Sequence, residues 1–475
     1  MKESIKFAAL ALLALAACTP KVEPDPEPEP DPAPVLGESV ILTGEAGSSS
    51  TVNLNSSAGW TAVSEDDWFS VSPMGGFAGE TELTVTAGSA NSDIRERVGY
   101  FEITVEGEDP VRFYVIQRGA RGLELTTTQY TAPGTAGEVE VEVWTNDELT
   151  AGFDQNWGEI ADVEFGVETT LLDDGTTVSE LQKARISLTL EENPDIFNSR
   201  SGSLSLKIAS GDEKTVPLVQ NYREFFRRTL ALRFTATWCG YCPMMAQSYE
   251  NAAEARPERF VPVSLHAANS DIPSDGISNL EQMYRIGGYP SGVVNSVADV
   301  QNNDPEIITP VLTGLVDEAC TLLPAKTCVS AESAFSGNSL SISGTLATRE
   351  ALPYRVHVYI LEDGIIASQT SYSSEYPGGA YYVHDHVQRC LATGTEGILV
   401  QGEDKGYVEF SVSYDVPAGR IEDSDNAYAV IFVTYESDKV FEGGVQYVTY
   451  RNYGQIVDNV FTIPLNGKIN YEYEK

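Results

Sequence analysis

Two cysteines separated by two residues form the motif in this chain that most clearly indicates a chemical reaction. Cys239 and Cys242 lie in the stretch TATWCGYCP, after a strand-like apolar run and before a helix-like run. At the start of a helix this spacing brings the two Cα atoms to about 5 to 6 Å, within disulfide geometry. Free N–H groups and the positive end of the helix dipole stabilise a thiolate there. The motif therefore predicts a dithiol in which Cys239 attacks a disulfide and Cys242 resolves the mixed disulfide.

The same cysteines also fit a permanent structural disulfide or half of a metal site. A zinc site would need His384 and His386, which lie two residues apart in a later segment, unlike established ligand spacings. We therefore predict no metal and no other cofactor. The two histidines are expected to form hydrogen bonds in the last domain or at its junction with the dithiol domain, with Tyr381 and Tyr382 packed there. His266 closes a strand and is expected near the dithiol, as a proton acceptor or a structural residue.

The N-terminus has the layout of an export signal, with an early lysine, a short apolar segment and then Cys18. The apolar segment is too short to span a bilayer. The residues Leu-Ala-Ala-Cys at 15–18 resemble the lipobox of bacterial lipoproteins, which implies that the signal peptide 1–17 is removed and that Cys18 carries the lipid. Residues 18–37 alternate Pro with Asp and Glu, which predicts an extended acidic linker. This lipid is the only membrane attachment that we predict.

Length and charge limit the remaining possibilities. The chain has 475 residues and a formal net charge of −40. At about 100 to 150 residues per domain, three or four domains are expected. The negative net charge argues against a nucleic-acid partner, because binding to a phosphate backbone requires clustered Lys and Arg.

Three further cysteines follow the dithiol. With Cys18 lipidated and an oxidising compartment expected, an odd number of cysteines remains, so at least one thiol stays unpaired within the monomer. Cys320 and Cys328 flank a short turn and could pair as a structural disulfide, which would leave Cys390 as the odd thiol. The alternative pairs Cys328 with Cys390.

The first half of the chain predicts two tandem β-sandwiches, at 38–119 and 120–222. Short alternating strands broken by Gly, Ser, Asn and Pro are typical of antiparallel sandwiches. Residues 97–117 and 200–220 repeat with equal spacing, and both segments end in an apolar residue followed by Gln. Upstream, Trp-Thr-Ala at 60–62 parallels Leu-Thr-Ala at 149–151 at a different offset, which indicates an insertion in the second copy.

The first sandwich resembles the BACON domain, a Bacteroidetes-associated module proposed to bind carbohydrate. The segments that carry the resemblance are GWTAVSEDDWFSVSP, ELTVTAGSANSDIRERVGYFEITVEG and the closing VIQ. A glycan would need exposed aromatic platforms, and the candidates are Trp60, Trp68 and Phe77. The alternative is that the tryptophans are core residues and that the sandwiches form a stalk.

The second half of the chain predicts an α/β domain at 223–325 followed by a β-sandwich at 326–475. Strands TLALRF and FVPVSLH interleave with helical stretches that end in PEIITPVLTGLVDEAC, and this alternation indicates an α/β layer. Alternating apolar strands return after Lys326. The predicted fold class is therefore multidomain α+β, with Ig-like or BACON-like sandwiches, an α/β domain and a C-terminal sandwich.

The order of elements around the dithiol resembles thioredoxin. A closer resemblance is to a family of Bacteroidetes outer-membrane-protein-related lipoproteins with a thioredoxin-like domain and a β-rich C-terminal region. The segments that carry it are FTATWCGYCP, VSLHAAN, GGYPSGVVN and YYVHDHVQR. The resemblance implies a cis peptide bond before Pro290, with Tyr289 beside the substrate and with Trp238 and Tyr241 as substrate contacts. One departure is Arg233, which stands where thioredoxins carry a buried acid; facing the sulfurs it would raise the reduction potential, and facing solvent it would have no effect.

Two functions follow from these expectations. In the first, the chain is a lipid-anchored outer membrane protein, on the periplasmic face or the cell surface, that exchanges with protein thiols or disulfides. In the second, it is a non-catalytic surface lipoprotein that binds glycan or protein through its β-sandwiches, and the dithiol is a permanent disulfide.

Overall fold

The computed structural model describes residues 5–6, 35–167, 171–172, 177–179, 181–438, 441–442 and 446–474. They form two compact units, one within 16–223 and the other within 224–475 together with 1–15, to which the first strand, β1 (Ile5–Lys6), belongs. The fold is multidomain α+β, as predicted. No helix in these described ranges is both long and apolar enough to cross a bilayer. Cys18, most of the signal peptide and most of the acidic linker lie outside the described residues.

The first sandwich packs two sheets against each other. Its strands are β2 (Val35–Leu36), β3 (Val40–Leu42), β4 (Ser49–Ser56), β5 (Trp60–Ser64), β6 (Phe69–Ser72), β7 (Gly75–Gly76), β8 (Gly79–Ala87), β9 (Arg97–Val105) and β10 (Val111–Gln117). One sheet has the order β2-β10-β9-β5-β7, with β3 also pairing with β10, and the other has the order β4-β8-β6. Alternate residues of both sheets meet in one apolar core, because successive side chains of a strand point to opposite faces.

The second sandwich has two four-stranded sheets. Its strands are β11 (Leu123–Leu125), β12 (Tyr130–Ala132), β13 (Gly137–Thr145), β14 (Leu149–Phe153), β15 (Gly158–Val167), β16 (Gln182–Leu190), β17 (Arg200–Ile208) and β18 (Glu213–Gln220). The sheet orders are β11-β13-β16-β15 and β12-β18-β17-β14. A separate apolar core lies between them.

The internal repeat is confirmed by the strand register. Arg97 lies opposite Gln117 in β9 and β10, and Arg200 lies opposite Gln220 in β17 and β18. Each arginine donates a hydrogen bond to its glutamine, at 2.8 Å in the first sandwich and 2.7 Å in the second. The upstream landmarks also correspond, since Trp60 pairs with Val105 and Leu149 pairs with Ile208, which the repeat makes equivalent.

The second unit is built around a ten-stranded sheet with helices and a smaller sheet packed on it. Its helices are α1 (Cys242–Ala255), α2 (Ile277–Met283) and α3 (Pro305–Leu322). Its strands are β19 (Thr229–Thr235), β20 (Phe260–His266), β21 (Ser291–Val294), β22 (Ala298–Val300), β23 (Thr327–Ser336), β24 (Ser339–Thr348), β25 (Pro353–Glu362), β26 (Ile365–Gln369), β27 (Gly379–His384), β28 (Val387–Leu391), β29 (Ile398–Gln401), β30 (Gly406–Asp415), β31 (Ala427–Glu436), β32 (Phe441–Glu442), β33 (Val448–Tyr450), β34 (Gln455–Pro464) and β35 (Gly467–Ile469).

The large sheet runs through the predicted boundary between 223–325 and 326–475. Its order is β33-β22-β21-β19-β20-β28-β25-β31-β34, with β29 paired to β25, so β20 of the α/β segment joins β28 of the C-terminal segment. A four-stranded sheet, β30-β24-β23-β35, a separate hairpin, β26-β27, and a two-stranded sheet, β1-β32, complete the unit. The two predicted segments therefore share one sheet and one compact unit.

The two faces of the sheet carry different helices. Leu230, Leu232 and Phe234 of β19 pack with Leu280 of α2 on one face. Ala231 packs with Met245 of α1 on the opposite face, where α3 also lies. Since side chains alternate along a strand, Arg233 shares the α1 face with Ala231. This alternation places the polar groups discussed below under the helix that follows the dithiol.

Candidate functional site

The dithiol lies in the turn between β19 and α1. Cys239 and Cys242 form a disulfide with a Cα–Cα distance of 5.4 Å, within the predicted range. The helix begins at Cys242, so Cys239 lies in the turn before it, with its N–H donating to the Ala236 carbonyl at 3.1 Å. Both cysteines pack with Ala236, Ala267 and the ring of Tyr289 in a small apolar cluster. The sulfurs are therefore shielded from water at the amino end of a fourteen-residue helix.

The predicted proline turn lies beside this cluster. The peptide bond between Tyr289 and Pro290 is cis, which confirms the prediction. The ring of Tyr289 contacts Trp238 edge-on at 5.6 Å between ring centroids, and its hydroxyl donates to the carboxylate of Glu281. Burial and this carboxylate raise the pKa of Tyr289. Trp238 stays about half exposed, and its indole N–H donates to Asn269 at 3.0 Å.

A hairpin from the C-terminal segment covers the other side of the dithiol turn. The side-chain amide of Gln369 donates to the Cys239 carbonyl at 3.0 Å, and the Tyr372 N–H donates to the Gly240 carbonyl at 2.8 Å. Tyr372 also contacts the exposed ring of Tyr241 at 5.1 Å. Sequence reasoning missed these contacts, although the resemblance segment YYVHDHVQR begins on the second strand of this hairpin.

Arg233 and His266 lie buried on the α1 face of the sheet. Arg233 donates to the hydroxyl of Ser264 at 2.7 Å, and burial lowers the pKa of its guanidinium. It faces the protein interior, so the expectation of a solvent-facing side chain is excluded. His266 is fully buried, and neither of its ring nitrogens has a hydrogen-bond partner among the described residues; burial lowers its pKa well below the usual value.

The two later histidines lie at the junction of the predicted domains. The rings of His266 and His384 are 5.2 Å apart, and Tyr382 packs on His384 at 4.8 Å. Burial lowers the pKa of His384 to about 4. The ring of His386 instead forms a hydrogen bond with Tyr428 at 2.8 Å. Within the described ranges, no three His, Cys, Asp or Glu side chains are arranged to hold a metal ion.

Neither of the two disulfides considered for the later cysteines is formed. Cys320, Cys328 and Cys390 are all free thiols. Cys320 lies on α3 and accepts a hydrogen bond from Arg259, whereas Cys328 lies on β23 beside the backbone of Glu472. The turn between the two cysteines is short, but it leads from a helix into a strand whose side chains have different neighbours.

The three candidates for glycan contact differ in how far they are exposed to solvent. Trp60 is 3% exposed and belongs to the sandwich core, so it cannot serve as a surface platform. Trp68 is half-buried, and the guanidinium of Arg97 lies over its ring at 4.5 Å. Phe77 is 89% exposed and stays a candidate.

Three family models match segments of the chain, and two of these segments overlap at residues 277–301. Residues 38–120 match a viral BACON domain, residues 218–301 match thioredoxin, and residues 277–454 match outer membrane protein Omp28. The fold, the dithiol and these matches define a thioredoxin-like protein. The resemblance to an outer-membrane-protein-related family, preceded by a BACON-like module, is confirmed, and the match supports a location in the outer membrane or cell envelope.

Single proteins and solved structures resemble parts of the chain at low sequence identity. The chain is 25% identical over 97 residues to a protein disulfide-isomerase of Drosophila melanogaster, covering 20% of this chain and 18% of that protein. Among solved structures, HBP35 of Porphyromonas gingivalis is 16% identical, with a TM-score of 0.40 over 51% of this chain and 76% of that chain. A Bacteroides ovatus GH5 xyloglucanase is 21% identical, with a TM-score of 0.16 over 20% of each chain. The chain thus spans less than a fifth of the disulfide-isomerase that it matches.

Proposed function

We propose that this chain is a lipid-anchored, extracytoplasmic thiol-disulfide exchange protein that acts through Cys239 and Cys242. The observation that carries the proposal is the placement of both sulfurs at the amino end of α1, beside the cis bond at Pro290. Helix N–H groups and the helix dipole stabilise a thiolate there. Thioredoxin folds host many roles, so the dithiol itself must be tested.

The exchange proceeds in two steps that conserve electrons. The Cys239 thiolate attacks a substrate disulfide, forms a mixed disulfide and releases the first substrate thiolate. The Cys242 thiolate then attacks the Cys239 sulfur, which restores the internal disulfide and releases the second substrate thiolate. The substrate gains the two electrons that the dithiol loses. Tyr289 and Pro290 orient the substrate.

Trp238 and Tyr241 contact the substrate on either side of the sulfurs. Both rings are about half exposed, while Cys239 and Cys242 are buried. Each ring is held by a second aromatic ring, since Trp238 contacts Tyr289 and Tyr241 contacts Tyr372. Exposed aromatic rings in fixed positions are suited to binding a polypeptide, which supports this part of the proposal.

The reduction potential of the dithiol tests this proposal. The mature chain is equilibrated in glutathione buffers, trapped with an alkylating reagent and analysed by mass. A potential between about −270 and −120 mV would place it among exchange catalysts, and one below about −300 mV would identify a structural disulfide and refute catalysis. The matched variants are Cys242→Ser, which should accumulate the mixed disulfide at Cys239, and Cys239→Ser, which should not.

The anchor and the location are a separate part of the proposal. Cys18 would carry the lipid, and the linker would hold the folded part away from the outer membrane, on its periplasmic face or at the cell surface. Changing Cys18 to Ala should move the protein from the membrane fraction to the soluble fraction. Protease treatment of intact cells then distinguishes the two faces, because only a surface protein is cut.

Glycan binding by the first sandwich is the second candidate function, and Phe77 favours it. Its ring is almost fully exposed, and Met74, three residues earlier in the sequence, is also exposed. Titration of the isolated glycans with the wild-type chain and with Phe77→Ala tests this function. Equal responses from the two proteins would remove it.

A further inference from the structure

The hairpin formed by β26 and β27, residues 365–384, has two different faces. Ile365 and His384 lie opposite each other and are buried. The outward face, which we call the hairpin face, consists of Ile366, Tyr381 and Val383, which are 62%, 87% and 51% exposed. Ile366 lies directly opposite Val383, so these two side chains share one face with Tyr381, two residues away. A solvated face of a ribbon is normally polar, and this one is apolar.

The hairpin is fixed to the dithiol turn at one end. Besides the bonds from Gln369 and Tyr372, the Thr370 N–H donates to the Thr237 carbonyl at 2.8 Å. Ile366 lies three residues before Gln369 on the same strand, which corresponds to about 10 Å at about 3.3 Å per residue. The hairpin face therefore begins about 10 Å along the strand from Gln369, the residue that contacts the Cys239 carbonyl.

The charge of this segment limits what it can bind. Between residues 365 and 384 the only acidic or basic side chain, apart from His384, is Glu375, in a chain of which 21% is charged. A phosphate or nucleic-acid partner needs cations that the hairpin lacks. An apolar partner instead gains by removing the exposed rings and branched side chains from water.

We propose that the hairpin face docks the apolar flank of an extended polypeptide whose cysteine exchanges with Cys239. This inference rests on the proposed function and names its substrate class. A substrate that reaches from the sulfur to the hairpin face must continue for several residues beyond its cysteine, since Ile366 alone lies about 10 Å along the strand from Gln369. An unfolded protein segment meets this requirement, and a small disulfide does not. The loop of the same hairpin reaches the dithiol turn, where Tyr372 contacts Tyr241.

The test compares substrates that differ only in reach and polarity. The first peptide has about nine residues, enough to extend past the hairpin face, with a central cysteine linked to 2-thio-5-nitrobenzoate and with Leu and Val on both sides. The second has Ser in place of Leu and Val. The third substrate is bis(2-hydroxyethyl) disulfide. Pre-reduced protein is mixed with each in a single turnover, so that the dithiol supplies both electrons and no other reductant is present.

The variant Ile366→Ser/Tyr381→Ser/Val383→Ser should raise the half-saturating concentration of the apolar peptide about tenfold without changing its maximal rate. The rates with the polar peptide and the small disulfide should not change. Leu399→Ser, which alters an exposed side chain on β29 of the same unit, is the matched control and should behave like the wild type. Because all the altered side chains are exposed, the variants are expected to fold.

A binding measurement separates this inference from the proposed function. The apolar peptide with Ser in place of its cysteine is titrated into the wild-type and triple-variant proteins by calorimetry. Binding that is lost in the variant supports the surface even if no substrate reacts, in which case only the exchange function fails. Equal binding, or equal kinetics with the apolar and polar peptides, overturns the docking surface while leaving exchange intact.

Discussion

The guanidinium of Arg233 donates a hydrogen bond to the Ser264 hydroxyl at 2.7 Å, beneath the helix that starts at Cys242. Arg233 lies six residues before Cys239, on the strand that leads into the dithiol turn. Burial opposes its charge and lowers the pKa of its guanidinium, but an arginine side chain remains protonated in proteins. A buried cation whose field reaches the sulfurs would favour the thiolates of the reduced dithiol over the neutral disulfide.

We therefore predict that Arg233→Gln lowers the reduction potential of the dithiol. A loss of about 1.4 kcal/mol of electrostatic stabilisation corresponds to about 30 mV for a two-electron couple. Glutathione titration of the wild type and the variant measures the shift. Ser264→Ala is the matched control, because it removes the hydrogen-bond acceptor but leaves the charge. An unchanged potential in Arg233→Gln would show that the cation does not act on the sulfurs.

Acid should destabilise the second unit through its buried histidines. Burial lowers the pKa of His357 to about 3 and that of His384 to about 4. In the unfolded chain these histidines have a pKa of about 6.5, so below about pH 6.5 the unfolded state binds more protons than the folded state. The free energy of unfolding therefore falls as the pH drops below about 6.5. Buried Asp458 and Glu362 have raised pKa values and contribute with the opposite sign.

The variant His357→Gln isolates this effect. Between about pH 7 and about pH 5, the wild type should lose about 2 kcal/mol more of unfolding free energy than the variant. Urea unfolding of both proteins at the two pH values gives the difference. Contributions from the carboxylates cancel in this comparison, since both proteins contain them. Parallel losses in the two proteins would contradict the prediction.

Gly240→Ala should separate the hairpin from the dithiol turn. A Cβ atom at this position would lie 2.5 Å from the ring of Tyr372. Overpacking of this kind costs about 1 to 3 kcal/mol of stability, and removal of the ring in Gly240→Ala/Tyr372→Ala should recover part of it. Chemical unfolding of the single and double variants measures both the stability that is lost and the part that is recovered. Gly288→Ala, whose Cβ would meet no atom within 4 Å, is the control with little expected effect.

The free thiols can be counted directly. In denaturant without reductant, the chain lacking residues 1–18 should bind three equivalents of maleimide, at Cys320, Cys328 and Cys390. In the native protein Cys328 should react slowly, because burial raises its pKa to about 12. Half-buried Cys320 should react first. A Cys320–Cys328 linkage detected in a non-reducing peptide digest would contradict the structure.

Local spacing was sufficient to predict several parts of the molecule. The dithiol, the start of α1 and the cis bond at Pro290 depend on residues that are neighbours in sequence or on a family pattern that spans them. The repeated sandwiches were also predictable, because each strand's alternation and the Arg-Gln pairing recur with constant spacing. The sandwiches and the start of α1 need only the periodicity of strands and helices, whereas the cis bond needs the family pattern.

Long-range pairing decided the rest. Whether Trp60 lies inside or outside depends on which strand faces it, and whether Cys320 meets Cys328 depends on the neighbours of α3 and β23. The joining of β20 to β28, and the contact of Gln369 with Cys239, bring together residues more than 100 positions apart. Sequence alone determined the reactive motif and its local geometry. Only the tertiary structure determined what surrounds it, because burial and side-chain partners are set by the packing of distant segments.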